Sequence, residues 1–183
     1  SLCPVWGKLY RRSLIQKSGA RFVDLAEIGS YEDGFFNLEV FGKADRVVYL
    51  AAYLYHYRRD GSSSVTSGYN PRLYDQWQTL YDRMEAIIRS NQLGSEYEAA
   101  LNNRIAMGIL GLGLNITVST QPMGKKVKDI RRIIRQERYR KAYKNLPLNY
   151  FPIHWKLFYG CARHGFAFGV YMLLTVIQRI ISR

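Results

Sequence analysis

The sequence predicts an α+β protein. Residues 1–69 are expected to hold a few short strands plus a helix, and residues 70–183 a mostly helical region. Three observations lead there. β-branched and aromatic runs occur before residue 58, and apolar residues fall at 3–4 spacing from Leu73 onward. The chain of 183 residues is 48% hydrophobic and 22% charged, which suits a folded domain with a real core.

Taken in order, residues 8–18 suit a short helix that stops at Gly19, and "RFVDL" reads as a short extended piece. "GFFNLEVFGKA" reads as a helix ending near Gly42 or Lys43. "RVVYL" and "YLYHYRR" suit two short strands, and in the second a strand would set His56 and Arg58 on one face and the tyrosines on the other. "RDGSSSVTSGYNP" is a polar loop closed by an Asn-Pro breaker, long enough to suggest a functional lid.

After Pro71, residues Leu73, Trp77, Leu80, Tyr81, Met84, Ile87 and Ile88 mark one buried helix face. Gly94 and Ser95 read as a C-cap followed by an N-cap, with a second helix from Glu96 to about Thr117 softened by Gly108, Gly111 and Gly113. A third, basic helix carries Val127, Ile130 and Ile134 along one stripe. "NLPLNYFP" breaks it, and a last helix covers about residues 153–181.

The net charge of +13 favours an anionic partner. Residues 125–144 concentrate it, with ten Lys/Arg against Asp129 and Glu137. Cys3 and Cys161 stand far apart, which argues against a zinc site or a disulfide framework and favours a reducing compartment. Gly165–Gln178 is a charge-free apolar stretch, shorter than the roughly 20 residues a spanning helix needs.

Two adjacent acids, Glu32 and Asp33, stand in "SYEDGFFNLE". Locally, Ser30 and Asp33 make a Ser-x-x-Asp capping box before an apolar run, and acids suit the positive end of the helix dipole. A cap accounts for an acid, but not for a pair followed by Gly34 and two phenylalanines.

The order of "VWGKLYRRSLI", "YEDGFFNLEVF", "RVVYLAAYLYHYRRDGSSSVT" and "YNP" within the first 71 residues resembles the C-terminal part of bacterial family-2 glycosyltransferases of surface-polysaccharide synthesis, enzymes of GT-A fold. The resemblance implies an inverting transferase moving a sugar from a nucleotide-sugar donor to a saccharide or lipid-linked acceptor, with a divalent metal, Mn or Mg, in the full-length enzyme. By the same resemblance Asp33 is the general base on the acceptor hydroxyl, and Glu32 positions the acceptor or the base. Arg58 contacts the leaving diphosphate, His56 contacts the metal, Trp6 and Lys8 line the acceptor pocket, and the loop from Ser62 to Gly68 closes over the site. Each has a plainer alternative: Trp6 as core, Lys8 as a solvated cation, His56 as a structural residue ordering the next loop, and the loop as a connector.

No Asp-x-Asp and no glycine-rich phosphate turn occurs in the chain. The expectation is therefore a C-terminal fragment whose nucleotide-binding half would precede Ser1, one that needs no metal and does not turn over alone. The expected location is cytoplasmic, peripheral at the inner membrane face. There the basic helix would meet anionic lipid while Trp155, Phe158, Phe166 and Phe168 enter the boundary. The rival reading is a non-catalytic basic helical module binding nucleic acid or an anionic membrane. It lacks any RNA-recognition, KH or helix-turn-helix signature, and no nucleic-acid partner is expected.

Overall fold

The computed structural model describes residues 3–52, 55–56 and 68–181, and every regular element among them is helical. They group into two compact units. One takes in the described residues of Ser1–Ser67 together with Arg72–Gln92, and the other Gly68–Pro71 together with Leu93–Arg183.

In the first unit, α1 (Arg12–Ser18) ends as its sequence suggests. Gly19 adopts φ 68°, and its N–H donates to Ile15 O at 3.1 Å. Residues 21–24 of the expected extended piece lie outside any regular element, and a short α2 (Leu25–Ile28) follows, capped by the Asp24 carboxylate accepting from Ala26 N at 2.8 Å. Helix α3 (Glu32–Phe41) buries Phe35, Phe36, Asn37 and Val40. Phe36 and Val40 pack with Ala20 against Val5, Tyr10, Leu14 and Ile15.

Helix α4 (Leu73–Ser90), which the sequence places with the helical region, clusters with this unit and packs along α2. Its expected face is buried at Trp77, Leu80, Tyr81, Met84 and Ile88. Gln76 Nε2 donates to Ala26 O at 3.0 Å, and Arg83 pairs with Glu27. Gly29, at φ 71°, lies so close that a Cβ there would meet Gln76 Oε1 at 2.7 Å.

The expected α+β class is corrected here, since no strand occurs among the described residues. Residues 46–50, "RVVYL", lie irregular, with Val47, Val48, Tyr49 and Leu50 all exposed. The propensity of β-branched and aromatic residues is realised only against a neighbouring strand that completes the hydrogen-bond ladder. Among the described residues none stands beside this segment. Of "YLYHYRR" only Tyr55 and His56 are described, and both are exposed outside any element. Arg58 and loop residues 62–67 lie outside the described residues.

Burial pushes the Glu39 carboxyl of α3 above its ordinary range, against the Arg21 backbone N–H and the nearby Arg83 charge. Folding thus favours the protonated acid. Its stabilising contribution is complete below the unfolded pKa and is lost as pH rises through the folded one. Glu39→Gln is expected to raise the melting temperature at pH 7, with the gain vanishing toward roughly pH 4. Thermal melts across that window check it.

In the second unit, α5 (Ser95–Thr117) starts on Gly94, whose extended φ of −67° makes it the N-cap. Gly94 is therefore not the expected C-cap of α4, and Ser95 is the first helical residue rather than the cap. The "YNP" breaker is pinned to α5: Asn70 N donates to Asn115 Oδ1 and Asn115 Nδ2 to Asn70 O, both at 2.8 Å.

The expected single basic helix is two helices, α6 (Met123–Arg135) and α7 (Glu137–Asn145), separated by Gln136 at ψ 143°. Val127, Ile130 and Ile134 are buried as their spacing implies, and eight of the ten bases are exposed. The expected last helix is likewise split into α8 (Ile153–Arg163) and α9 (Ala167–Ile181), with Gly165 at φ 72° between them. Phe158 is a core residue and Trp155 is half-buried against Phe158 and Tyr159, whereas Phe166 and Phe168 are exposed. Arg163 joins α8 to the end of α7, its Nε donating to Tyr143 O at 2.9 Å and its Nη2 to Leu146 O at 2.6 Å.

Gly113 of α5 serves packing against α9. A Cβ on buried Gly113 would fall well inside van der Waals contact with Leu174 of α9. Gly113→Val is expected to cost about 1–3 kcal/mol by overpacking. In a Leu174→Ala background part of that cost should disappear, which a double-mutant cycle of urea melts would show as coupling.

Candidate functional site

The first turns of α3 and the segment from Cys3 to Tyr10 build one cluster. Tyr31, immediately before α3, has φ 76°, an outlier for an aromatic residue. Its ring lies over Gly34, where a Cβ would collide with it, and its hydroxyl meets Cys3 Sγ at 3.1 Å. Glycine after the two acids thus makes room for the tyrosine.

The expected capping box does not form. No side chain caps α3, and the Ser30 hydroxyl accepts instead from Trp77 Nε1 at 3.0 Å. Asp33 is therefore not a cap partner. Its Oδ2 accepts from Val5 N at 3.1 Å, while Oδ1 has no hydrogen bond among the described residues. One turn on, Asn37 is 2% exposed. Its Nδ2 donates to Cys3 O at 2.7 Å and Pro4 O at 3.3 Å, and its Oδ1 accepts from the Tyr10 hydroxyl at 2.6 Å. Asp33 and Asn37 lie four apart on one helix face and hold the incoming chain together.

Burial, with Asp33's negative charge second, holds the Tyr10 phenol above its usual range, and the Asn37 hydrogen bond works the other way. Glu32, half-buried, begins the helix beside Asp33, and both acids sit at its positive end. Lys8 Nζ donates to Pro4 O within the same segment. Trp6 is 43% exposed and stacks on Tyr55, with ring centroids 4.7 Å apart and planes at 18°. Gly7, at φ 70°, turns the chain between Trp6 and Lys8.

The structure therefore brings the Asp33 carboxylate to the backbone at Val5, and ties Lys8 to Pro4 beside it. His56 is exposed, and no group of three His, Cys, Asp or Glu capable of holding a metal occurs among the described residues. Those residues do not make a metal centre. A cavity of about 570 Å³ elsewhere in this unit is bounded by Phe22, Glu39 and Arg83, and none of the expected site residues lines it.

Asn37, Tyr31 and Tyr10 carry no sequence-based expectation. The available signal was Asn37, an amide inside the apolar run "GFFNLEVF", since a buried amide demands partners.

No family model matches the chain, and no solved structure matches it. Among curated proteins it is similar to three that carry glycosyltransferase names. EpsH of Bacillus subtilis is 33% identical over 102 residues, 56% of this chain and 29% of that protein. EpsJ of the same organism is 30% identical over 147 residues, 80% of this chain and 42% of that protein. GlyA of Streptococcus pneumoniae is 31% identical over 161 residues, 82% of this chain and 21% of that protein. The chain thus spans less than half the length of each. What these likenesses support for the chain is a glycosyltransferase family.

Proposed function

We infer that the chain is the acceptor-side, C-terminal part of an inverting family-2 glycosyltransferase in which Asp33 is the general base. The observation that carries this reading is the Asp33 carboxylate. It is fixed at a helix start by the Val5 N–H, with its second oxygen unengaged among the described residues, in a chain whose relatives bear glycosyltransferase names.

The chemistry needs a carboxylate held in this way. A sugar hydroxyl is a weak nucleophile until a positioned base removes its proton in the transition state. Asp33 Oδ1 takes that proton as the acceptor oxygen bonds to the anomeric carbon. The bond from that carbon to the diphosphate breaks on the opposite face, and the nucleoside diphosphate leaves. Glu32 accepts a hydrogen bond from a neighbouring acceptor hydroxyl, Trp6 offers its ring to the sugar, and Lys8 lends positive charge to the pocket. Arg58 contacts the departing diphosphate. The acceptor is a saccharide or lipid-linked saccharide of surface-polysaccharide synthesis, at the cytoplasmic side of the membrane.

The test is a transfer assay with a panel of sugar nucleotides, comparing the 183-residue chain with the longer enzyme that carries it. Turnover is expected only from the longer enzyme. Equal turnover by the isolated chain would overturn its assignment as a part.

A further inference from the structure

The charge of the chain is divided in a way its total conceals. Residues 1–98 hold twelve Lys/Arg and twelve Asp/Glu, whereas residues 99–183 hold fifteen against two. After Glu137 no acid occurs at all. The whole excess of +13 therefore belongs to residues 99–183, and most of the α6 and α7 bases point to solvent.

Helix α9 supplies a second, independent observation. Val170 and Leu174 are fully buried on its inner side. On the other side Phe168, Met172, Val176 and Ile180 recur every four residues and are 44 to 68% exposed. Arg179 is the single charge on this helix. Exposed Phe166 stands at its start, its ring 6.5 Å from that of Phe168. On α8, Ile153 and Leu157 form one further exposed apolar turn. A helix buried along one side and apolar along the other has a second apolar phase to meet.

We propose that this unit seats on an anionic membrane surface, with the Phe168–Ile180 stripe of α9 in the headgroup–acyl boundary and the bases of α6 and α7 on lipid phosphates. Charge complementarity selects the occupant. A second copy of the chain would bring the same uncompensated bases to the contact, and a nucleic acid would satisfy the bases while leaving the stripe in water. An anionic bilayer satisfies both, and stable peripheral attachment takes two such signals. Among the described residues no helix is long and apolar enough to cross a membrane, so the contact is interfacial. The corrected insertion face differs from the sequence expectation, because Phe158 is spent in the core.

The test floats the 183-residue chain with vesicles of phosphatidylcholine mixed with phosphatidylglycerol, and with phosphatidylcholine alone. Flotation is expected with the anionic vesicles only. Met172→Asp/Val176→Asp should reduce the bound fraction at least about tenfold. Lys128→Gln/Arg131→Gln should lose about fivefold per base and release at lower salt. All four positions are on the surface or exposed, so circular dichroism melts should be unchanged. If the aspartates disturb folding, Met172→Gln/Val176→Gln replaces them.

No flotation, or flotation of the aspartate variant equal to wild type, overturns the proposal. So does a dimer that this variant disperses, or tighter binding to duplex DNA than to vesicles at the same salt. No sugar nucleotide enters the assay, so failure of the Asp33 assignment leaves the result unaffected.

Discussion

Asp33→Ala, made in the longer enzyme, is expected to lower the transfer rate about 10²- to 10⁴-fold, the usual worth of a positioned general base. Donor binding should stay near wild type, because the substitution removes no group assigned to the donor. Stability should fall only modestly, since one hydrogen bond to Val5 N is lost, roughly 0.5–1.5 kcal/mol, with somewhat more if the amide stays buried. Single-turnover rates beside donor titrations separate these effects. A variant that keeps wild-type chemistry would remove Asp33 from the mechanism.

The second large effect is expected at Asn37, which touches no substrate and acts as a positioning residue. Asn37→Ala leaves the Cys3 and Pro4 carbonyls and the Tyr10 hydroxyl without this partner inside a part-buried cluster. Stranding such groups costs about 1–3 kcal/mol. The segment carrying Val5, Trp6 and Lys8 should then loosen from α3, and turnover should fall with KM for the acceptor rising. A merely structural Asn37 predicts reduced stability with kinetic constants unchanged per folded molecule. Activity normalised to the folded fraction discriminates between the two, and Asn37→Gln is expected to recover little, because its amide stands one methylene too far out.

Much of the helical half was legible because apolar periodicity reports burial directly. The Leu73–Ile88 face and the Val127, Ile130, Ile134 stripe pack where their spacing puts them. The breaks were not legible. Gln136 and Gly165 interrupt patterns that read as continuous, and a left-handed glycine inside an apolar run looks the same as a tolerated one. "RVVYL" misled for a different reason, since strand propensity is a statement about neighbours that a single segment cannot supply.

At the site, the acidic pair was visible but its local explanation was not correct. Ser30 looked like a cap, yet the indole of Trp77, 47 residues away, takes its hydroxyl. Asp33 finds Val5, 28 residues back. Long-range hydrogen bonds leave no periodic trace, and the buried amide of Asn37 was the one local sign that the incoming chain would be held there.

Two roles for Asp33 remain to be separated, a pin for Val5 and a base, and one substitution does so. Asparagine keeps an oxygen that accepts the Val5 N–H but cannot take a proton. The measurement is the transfer rate of Asp33→Asn in the longer enzyme at saturating donor and acceptor. The base assignment predicts a loss as deep as that of Asp33→Ala, about 10²-fold or more. A rate close to wild type, with Asp33→Ala impaired, would contradict it and leave Asp33 as a structural tie.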